Sequence, residues 1–228
     1  LRWFRLGAPA LLFLALTGLA LVQVDDFSPL VLLGLWSAAM IFAWSLASRR
    51  LAYAGAVALA LLVAAGTIAT LRSAGPQHVA DIGFYADRFM VWLEPARHPH
   101  TGQQLLLATR AIVDGAWLGS DSLLGIASLG QPGSSALQVP AVQDDFAPSF
   151  FLNRHALAAG LALWLLQAAF IAGLLHTAVR AYAAGSATRD FRQAWLGRFR
   201  CFALCGGAAF VFGHFVLSWG TNLAIFPV

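Results

Sequence analysis

The chain has 228 residues, of which 60% are hydrophobic and 11% charged, with a mean hydropathy of +0.74 and a formal net charge of +4. Soluble domains carry about 25% charged residues, so the composition excludes an ordinary water-exposed globular protein and defines an integral membrane one. All 14 basic residues are arginine. They are dispersed between apolar helices instead of forming one basic face, which argues against nucleic acid as a partner.

A bilayer core requires about 20 apolar residues in a helix, and five runs qualify in chain order. Leu6–Val24 ends at Asp25-Asp26, and Phe27–Ser48 ends at Arg49-Arg50. Leu51–Leu71 ends at Arg72, Ala156–Val179 ends at Arg180, and Cys201–Val228 follows. The expected fold is therefore all-α and polytopic, a single membrane domain over residues 1–228. The chain begins at Leu1 and enters an apolar run almost at once, which reads as a fragment of a longer protein.

Arginine placement orients the spans, because cytoplasmic loops are enriched in basic residues. With Arg2, Arg5, Arg49, Arg50 and the arginines of 180–200 inside, five crossings alternate without conflict. Nine arginines then lie inside and five outside, while nine of the ten acids lie outside and only Asp190 inside. Residues 73–154 become a large extracytoplasmic loop. Within it, Gln104–Ala108 and Ala111–Val113 are apolar but too short to span, and are expected as amphipathic or re-entrant helices. Trp92 and Trp117 suit a membrane interface. Gly115–Pro140 is rich in Gly, Ser and Pro and is expected to be irregular. Gly102, Gly115 and Gly119 are expected to serve turns.

Isolated polar groups have plain readings beside functional ones. Cys201 and Cys205 share a helix face and are expected to pack. His98-Pro99-His100 is expected as an exposed turn. His214, inside an apolar run, either packs beside a polar partner or lines a cavity.

The informative segment is Val139-Pro140-Ala141-Val142-Gln143-Asp144-Asp145-Phe146. It places two carboxylates beside an apolar layer, where acids usually serve a function. It resembles the Leu-Pro-Glu-x-His-Thr-Asp-Phe motif of the SEDS family (FtsW, RodA and SpoVE), matching at Pro140, Asp145 and Phe146. Other stretches agree in order. Gln23 and Asp25 match the family's Leu-x-Gln-Pro-Asp. Arg88 to Pro95 with Gly102-Gln103-Gln104 is similar to Arg-x-x-x-Phe-Leu-Asp-Pro and Gly-Tyr-Gln. Ala111 to Gly119 looks like Ala-Ile-Gly-Ser-Gly-Gly-Trp-Phe-Gly. Gly220 and Phe226-Pro227-Val228 fall where the family has Asn-Ile-Gly-Met and Leu-Leu-Pro-Val. The chain looks like helices five to nine of the family's ten. One departure stands out: Asn153-Arg154-His155-Ala156 occupies the place of the family's Glu-Glu-Leu-Gly.

The resemblance implies a peptidoglycan glycosyltransferase of the bacterial cytoplasmic membrane, polymerising lipid II for cell division, elongation or sporulation. A fragment alone is expected to be inactive. The acceptor GlcNAc 4-hydroxyl would attack the anomeric carbon of the donor MurNAc, releasing undecaprenyl pyrophosphate. Asp145 aligns with the catalytic Asp and would be the base. Asp144, Asp25, Arg88 and Arg110 are candidate substrate-binding residues, with Arg97 and Arg154 further cations near growing negative charge. A divalent cation, Mg or Mn, could bridge acids and pyrophosphate. The implied partner is a class B penicillin-binding protein docking beside the last two runs, whose Gly160, Gly173, Gly206, Gly207 and Gly213 permit close approach. Phe146 is expected to anchor its ring in the membrane interface. The alternative is a scaffold or lipid-substrate binder that kept the fold and lost the chemistry, which the Asn153-Arg154 departure favours. A transporter fits less well, because the polar groups gather in the outer loop.

Overall fold

The computed structural model describes residues 28–76, 86–115, 117 and 146–226, with residues 15, 18 and 19 before them. Every regular element among these is helical. The elements are α1 (Ser28–Ala47), α2 (Leu51–Ala74), α3 (Ala86–Leu93), a 3₁₀ turn (Pro95–Arg97), α4 (Thr101–Gly115), α5 (Ala147–Ala187) and α6 (Phe191–Asn222).

Three helices, α2, α5 and α6, are long and apolar enough to cross a membrane. At 24 residues α2 is the shortest of them, and it rises about 36 Å against a hydrocarbon core of about 30 Å. It has no buried residue. Leu59, Leu61, Leu62 and Val63 are all exposed on it, so apolar side chains point outward on every side. Such a helix requires an apolar solvent. The first apolar run, Leu6–Val24, lies outside the described residues but for three positions.

The connection between the last two spans differs from the sequence expectation. Helix α5 continues past Val179 and Arg180 to Ala187, and α6 begins at Phe191 instead of Cys201. Residues 180–200 are therefore helical except for Thr188, Arg189 and Asp190. Hydropathy reports only the apolar part of a helix, whereas Ala, Arg and Leu favour helix on either side of the lipid boundary. Asp190 caps the new helix, its Oδ1 accepting the Arg192 N–H at 3.0 Å. Gly185 and Gly197 let the two arms touch, since a Cβ on Gly197 would lie 2.7 Å from Gly185 Cα.

Helix α5 is broken once, at Ala156, with φ 77° and ψ 165°. The sequence expectation starts a span at this residue. The helix instead starts at Ala147, and the polar turn Asn153-Arg154-His155 precedes the break.

Contacts divide the chain into two compact units, Leu1–Val57 with Leu174–Gly213, and Ala58–Gly173 with His214–Val228. In the first, Ala43, Ala178, Cys201 and Cys205 form a buried cluster against Trp36, Ala39 and Tyr182. The two thiols lie 4.0 Å apart, and the Cys205 thiol reaches the Ala39 carbonyl at 3.6 Å, so this pair packs α6 on α1 as expected. Trp36 donates its indole N–H to the Phe202 carbonyl at 3.2 Å, with the rings 4.6 Å apart. Gly206 accommodates Trp36 and Gly213 accommodates Leu32. The second unit holds the candidate site.

Candidate functional site

In the second unit, the two short apolar stretches Gln104–Ala108 and Ala111–Val113 lie on one continuous helix, α4. Leu105, Ala108 and Ala111 recur every three residues and are buried, while Leu106, Arg110, Val113 and Asp114 are exposed. The buried stripe is mostly alanine, which leaves room for a large partner. That partner is Phe146, 1% exposed and packed on Ala108 and Ala111. The expectation that its ring enters the membrane interface is thus corrected: small side chains on α4 offer the ring a protein pocket instead.

The beginning of α5 is held on two sides. Asn153 donates from Nδ2 to the Ala111 carbonyl of α4 at 2.7 Å. Ser149 donates its backbone N–H and its hydroxyl to Asn222 Oδ1 at 3.0 and 2.5 Å. Asn222 is wholly buried near the end of α6 and donates in turn to the Ser218 carbonyl at 2.8 Å. Gly115 closes the same contact, because a Cβ there would lie 2.6 Å from Asn153 Cα. Gly102 likewise faces the Pro95 carbonyl. Both glycines lie within α4 and serve close backbone approach, not the turns expected of them.

A third tie involves the end of α6. Trp92 donates its indole N–H to the Ala224 carbonyl at 2.8 Å. The Arg72 guanidinium donates to the same oxygen and lies 5.6 Å from the Trp92 ring centre. Trp92 is 5% exposed and so is a buried strut, unlike Trp117, which is 68% exposed. Sequence reasoning missed Ser149, Asn222 and this Arg72–Trp92–Ala224 group. Asn222 alone carried a signal, a lone amide late in an apolar run.

The candidate site residues fall as follows. Asp25, Asp144 and Asp145 lie outside the described residues. Arg88 is exposed in the first turn of α3, and Arg110 is exposed midway along α4. Arg97 pairs with Glu94 at 2.7 Å, and Arg154 lies 4.7 Å from the Phe150 ring centre. His98 belongs to a turn, its carbonyl accepting the Gly102 N–H at 3.0 Å. Among the described residues no three His, Cys, Asp or Glu side chains converge as a metal site, and the acids that would hold a divalent cation are the three outside them.

Three membrane-length apolar helices and an all-helical architecture place the chain among helical membrane proteins. No family model, curated protein or solved structure matches it.

Proposed function

We propose that this chain is part of a divergent SEDS-like glycosyltransferase that polymerises lipid II at the outer face of the bacterial cytoplasmic membrane. Five spans and an outer loop over residues 73–154 complete the reading, on the hydropathy and arginine counts. The observation that carries it is the motif order culminating in Asp145-Phe146. Burial of Phe146 against α4 supports it physically. Adjacent Cα atoms are about 3.8 Å apart, so a pinned Phe146 restricts where the Asp145 carboxylate can stand. Asp145 takes the proton of the acceptor hydroxyl as general base. Arg88 and Arg110, both exposed on short helices of the same unit, are the cations for the departing pyrophosphate. Asp144 contacts the lipid-linked sugars.

The test is polymerisation of purified lipid II by the intact protein together with its class B penicillin-binding protein. Asp145→Asn keeps the shape and removes the base, and its rate should fall about 10²–10⁴-fold. Full activity in Asp145→Asn overturns the assignment.

A second reading, a scaffold or lipid-substrate binder without chemistry, is favoured by one specific observation. Asn153, which stands where the family has an acid, is engaged with the Ala111 carbonyl. An inactive wild type that still binds lipid II would put this reading first. For the transpeptidase partner, Gly160, Gly206 and Gly213 are already filled by Leu152, Trp36 and Leu32, whereas a Cβ at Gly173 or at Gly207 meets no atom within 4 Å. Gly173 and Gly207 are therefore the open candidates for the partner contact, and Gly173→Leu or Gly207→Leu should weaken co-purification with the transpeptidase.

A further inference from the structure

The first compact unit contains a groove that the glycosyltransferase reading does not use. It is lined by Met40, Ile41 and Trp44 of α1, Tyr182 of α5, and Arg198 and Cys201 of α6, and holds about 360 Å³. That volume lies in the range of small-ligand sites, roughly 300–1,000 Å³. Its wall is largely apolar, and Arg198 and Tyr182 are the lining residues with a charged or hydroxyl-bearing side chain. Arg50 adds a second cation, 5.7 Å from the centre of the Trp44 ring.

The surroundings point to one class of occupant. Among the described residues of this unit there are seven arginines and one acid, Asp190. The Asp190 carboxylate already caps α6. The excess positive charge is thus left for an external anion. The same arm of α6 exposes Phe191 (82%), Trp195 (53%) and Phe199 (51%), the last two stacked with centroids 5.3 Å apart. Exposed aromatics alternating with arginines suit the boundary between headgroups and acyl chains. Met40 and Ile41 are themselves 36% and 44% exposed, so the apolar end of the groove opens onto a surface that needs an apolar solvent.

We infer that this groove is a binding site for an anionic phospholipid: an acyl chain lies along Met40, Ile41 and Cys201, and the phosphate meets Arg198, Arg50 and the Tyr182 hydroxyl. Attraction of anionic lipid to basic residues near a membrane surface is worth about a fivefold change in binding per arginine. The site stands apart from the Asp145 chemistry and survives if that reading fails.

The experiment is native mass spectrometry of the purified protein, equilibrated in detergent with equal phosphatidylglycerol and phosphatidylcholine. The wild type should retain phosphatidylglycerol preferentially. Arg198→Gln should lower that preference about fivefold, and Arg198→Gln with Arg50→Gln about 25-fold. Met40→Trp, which fills the groove without touching charge, should lower retention of both lipids. Arg189→Gln, in the basic connector just before α6 but outside the groove, should leave the preference unchanged. Monodisperse elution and an unchanged melting temperature establish that each variant folds, with Met40→Trp serving if the arginine variants do not. Equal retention of the two lipids by the wild type overturns the site. So does an equal loss in Arg189→Gln and Arg198→Gln, which would mean diffuse charge, or undiminished retention in Met40→Trp.

Discussion

Asn153 donates its side-chain amide to the Ala111 carbonyl at 2.7 Å, tying the first turns of α5 to the last turns of α4. The bond requires a donor at this position. An ionised carboxylate has no proton to offer a carbonyl. Asn153→Ala should lower stability by about 0.5–1.5 kcal/mol. Asn153→Glu should lower it further, because a carboxylate would face the Ala111 oxygen. Thermal unfolding in detergent measures both. If Asn153→Glu is as stable as wild type, the amide is not a structural tie.

The Ser149–Asn222 pair makes a sharper prediction, since both partners are buried. Removing Asn222 leaves the Ser149 N–H and hydroxyl unsatisfied, at about 1–3 kcal/mol. Asn222→Leu should therefore cost more than Ser149→Ala. The double variant should cost less than the two single losses added, with a coupling of about 0.5–1.7 kcal/mol. Strict additivity in a double-mutant cycle would dismiss the pairing.

Much of the fold was legible in the apolar runs, and the reasons for the rest are physical. Leu51–Leu71 becomes α2 nearly residue for residue, because an uninterrupted apolar run leaves a chain in lipid no other way to satisfy its backbone. The arms over 180–200 were not legible, because they leave the apolar layer while remaining helical. Trp92 was misread as an interface residue, since its partner carbonyl at Ala224 is 132 positions away. Phe146 was read as an anchor, but the protein pocket that buries its ring was not legible. Whether a ring faces lipid or alanine depends on where α4 packs. Pairing between distant elements, as at Asn222, leaves no periodic trace.

Ala156 is buried in a conformation, φ 77° and ψ 165°, that is essentially reserved for glycine. In the resemblance drawn from the sequence, the Glu-Glu-Leu-Gly motif has its glycine at this place. Such a residue carries about 1–3 kcal/mol of strain. Ala156→Gly relieves it at the expense of about 0.5–1 kcal/mol of added chain freedom. The net expectation is a protein as stable as wild type or up to about 2 kcal/mol more so. Ala156→Val should be destabilised well beyond the usual Ala-to-Val change. Melting temperatures of the two variants decide the point, and a lower value for Ala156→Gly would mean that no strain is stored there.

Cysteine labelling tests the proposed orientation. The native Cys201 and Cys205 are buried, so background reaction with a membrane-impermeant maleimide should be low. A cysteine at residue 145 should label from outside intact cells. A cysteine at residue 189, between the arms of α5 and α6, should label only after permeabilisation. The opposite pattern would invert the arginine argument and remove Asp145 from the outer surface.

The last prediction joins packing to chemistry at Phe146. Its ring is almost wholly buried against Ala108 and Ala111, so Phe146→Ala would leave a cavity costing about 3–5 kcal/mol and would confuse activity with unfolding. Phe146→Leu stays apolar, fills most of the space and should fold. The smaller side chain loosens the segment, and an error of about 1 Å in placing a catalytic group lowers rates about 100-fold. Under the proposed function, Phe146→Leu should slow lipid II polymerisation by roughly 10- to 100-fold with little change in lipid II binding. Adding Asp145→Asn to it should lose less than Asp145→Asn loses in the wild type, because residues acting as one unit are not additive. If Phe146→Leu is stable and fully active, burial of the ring serves the fold alone, and Asp145 owes its position to some other contact.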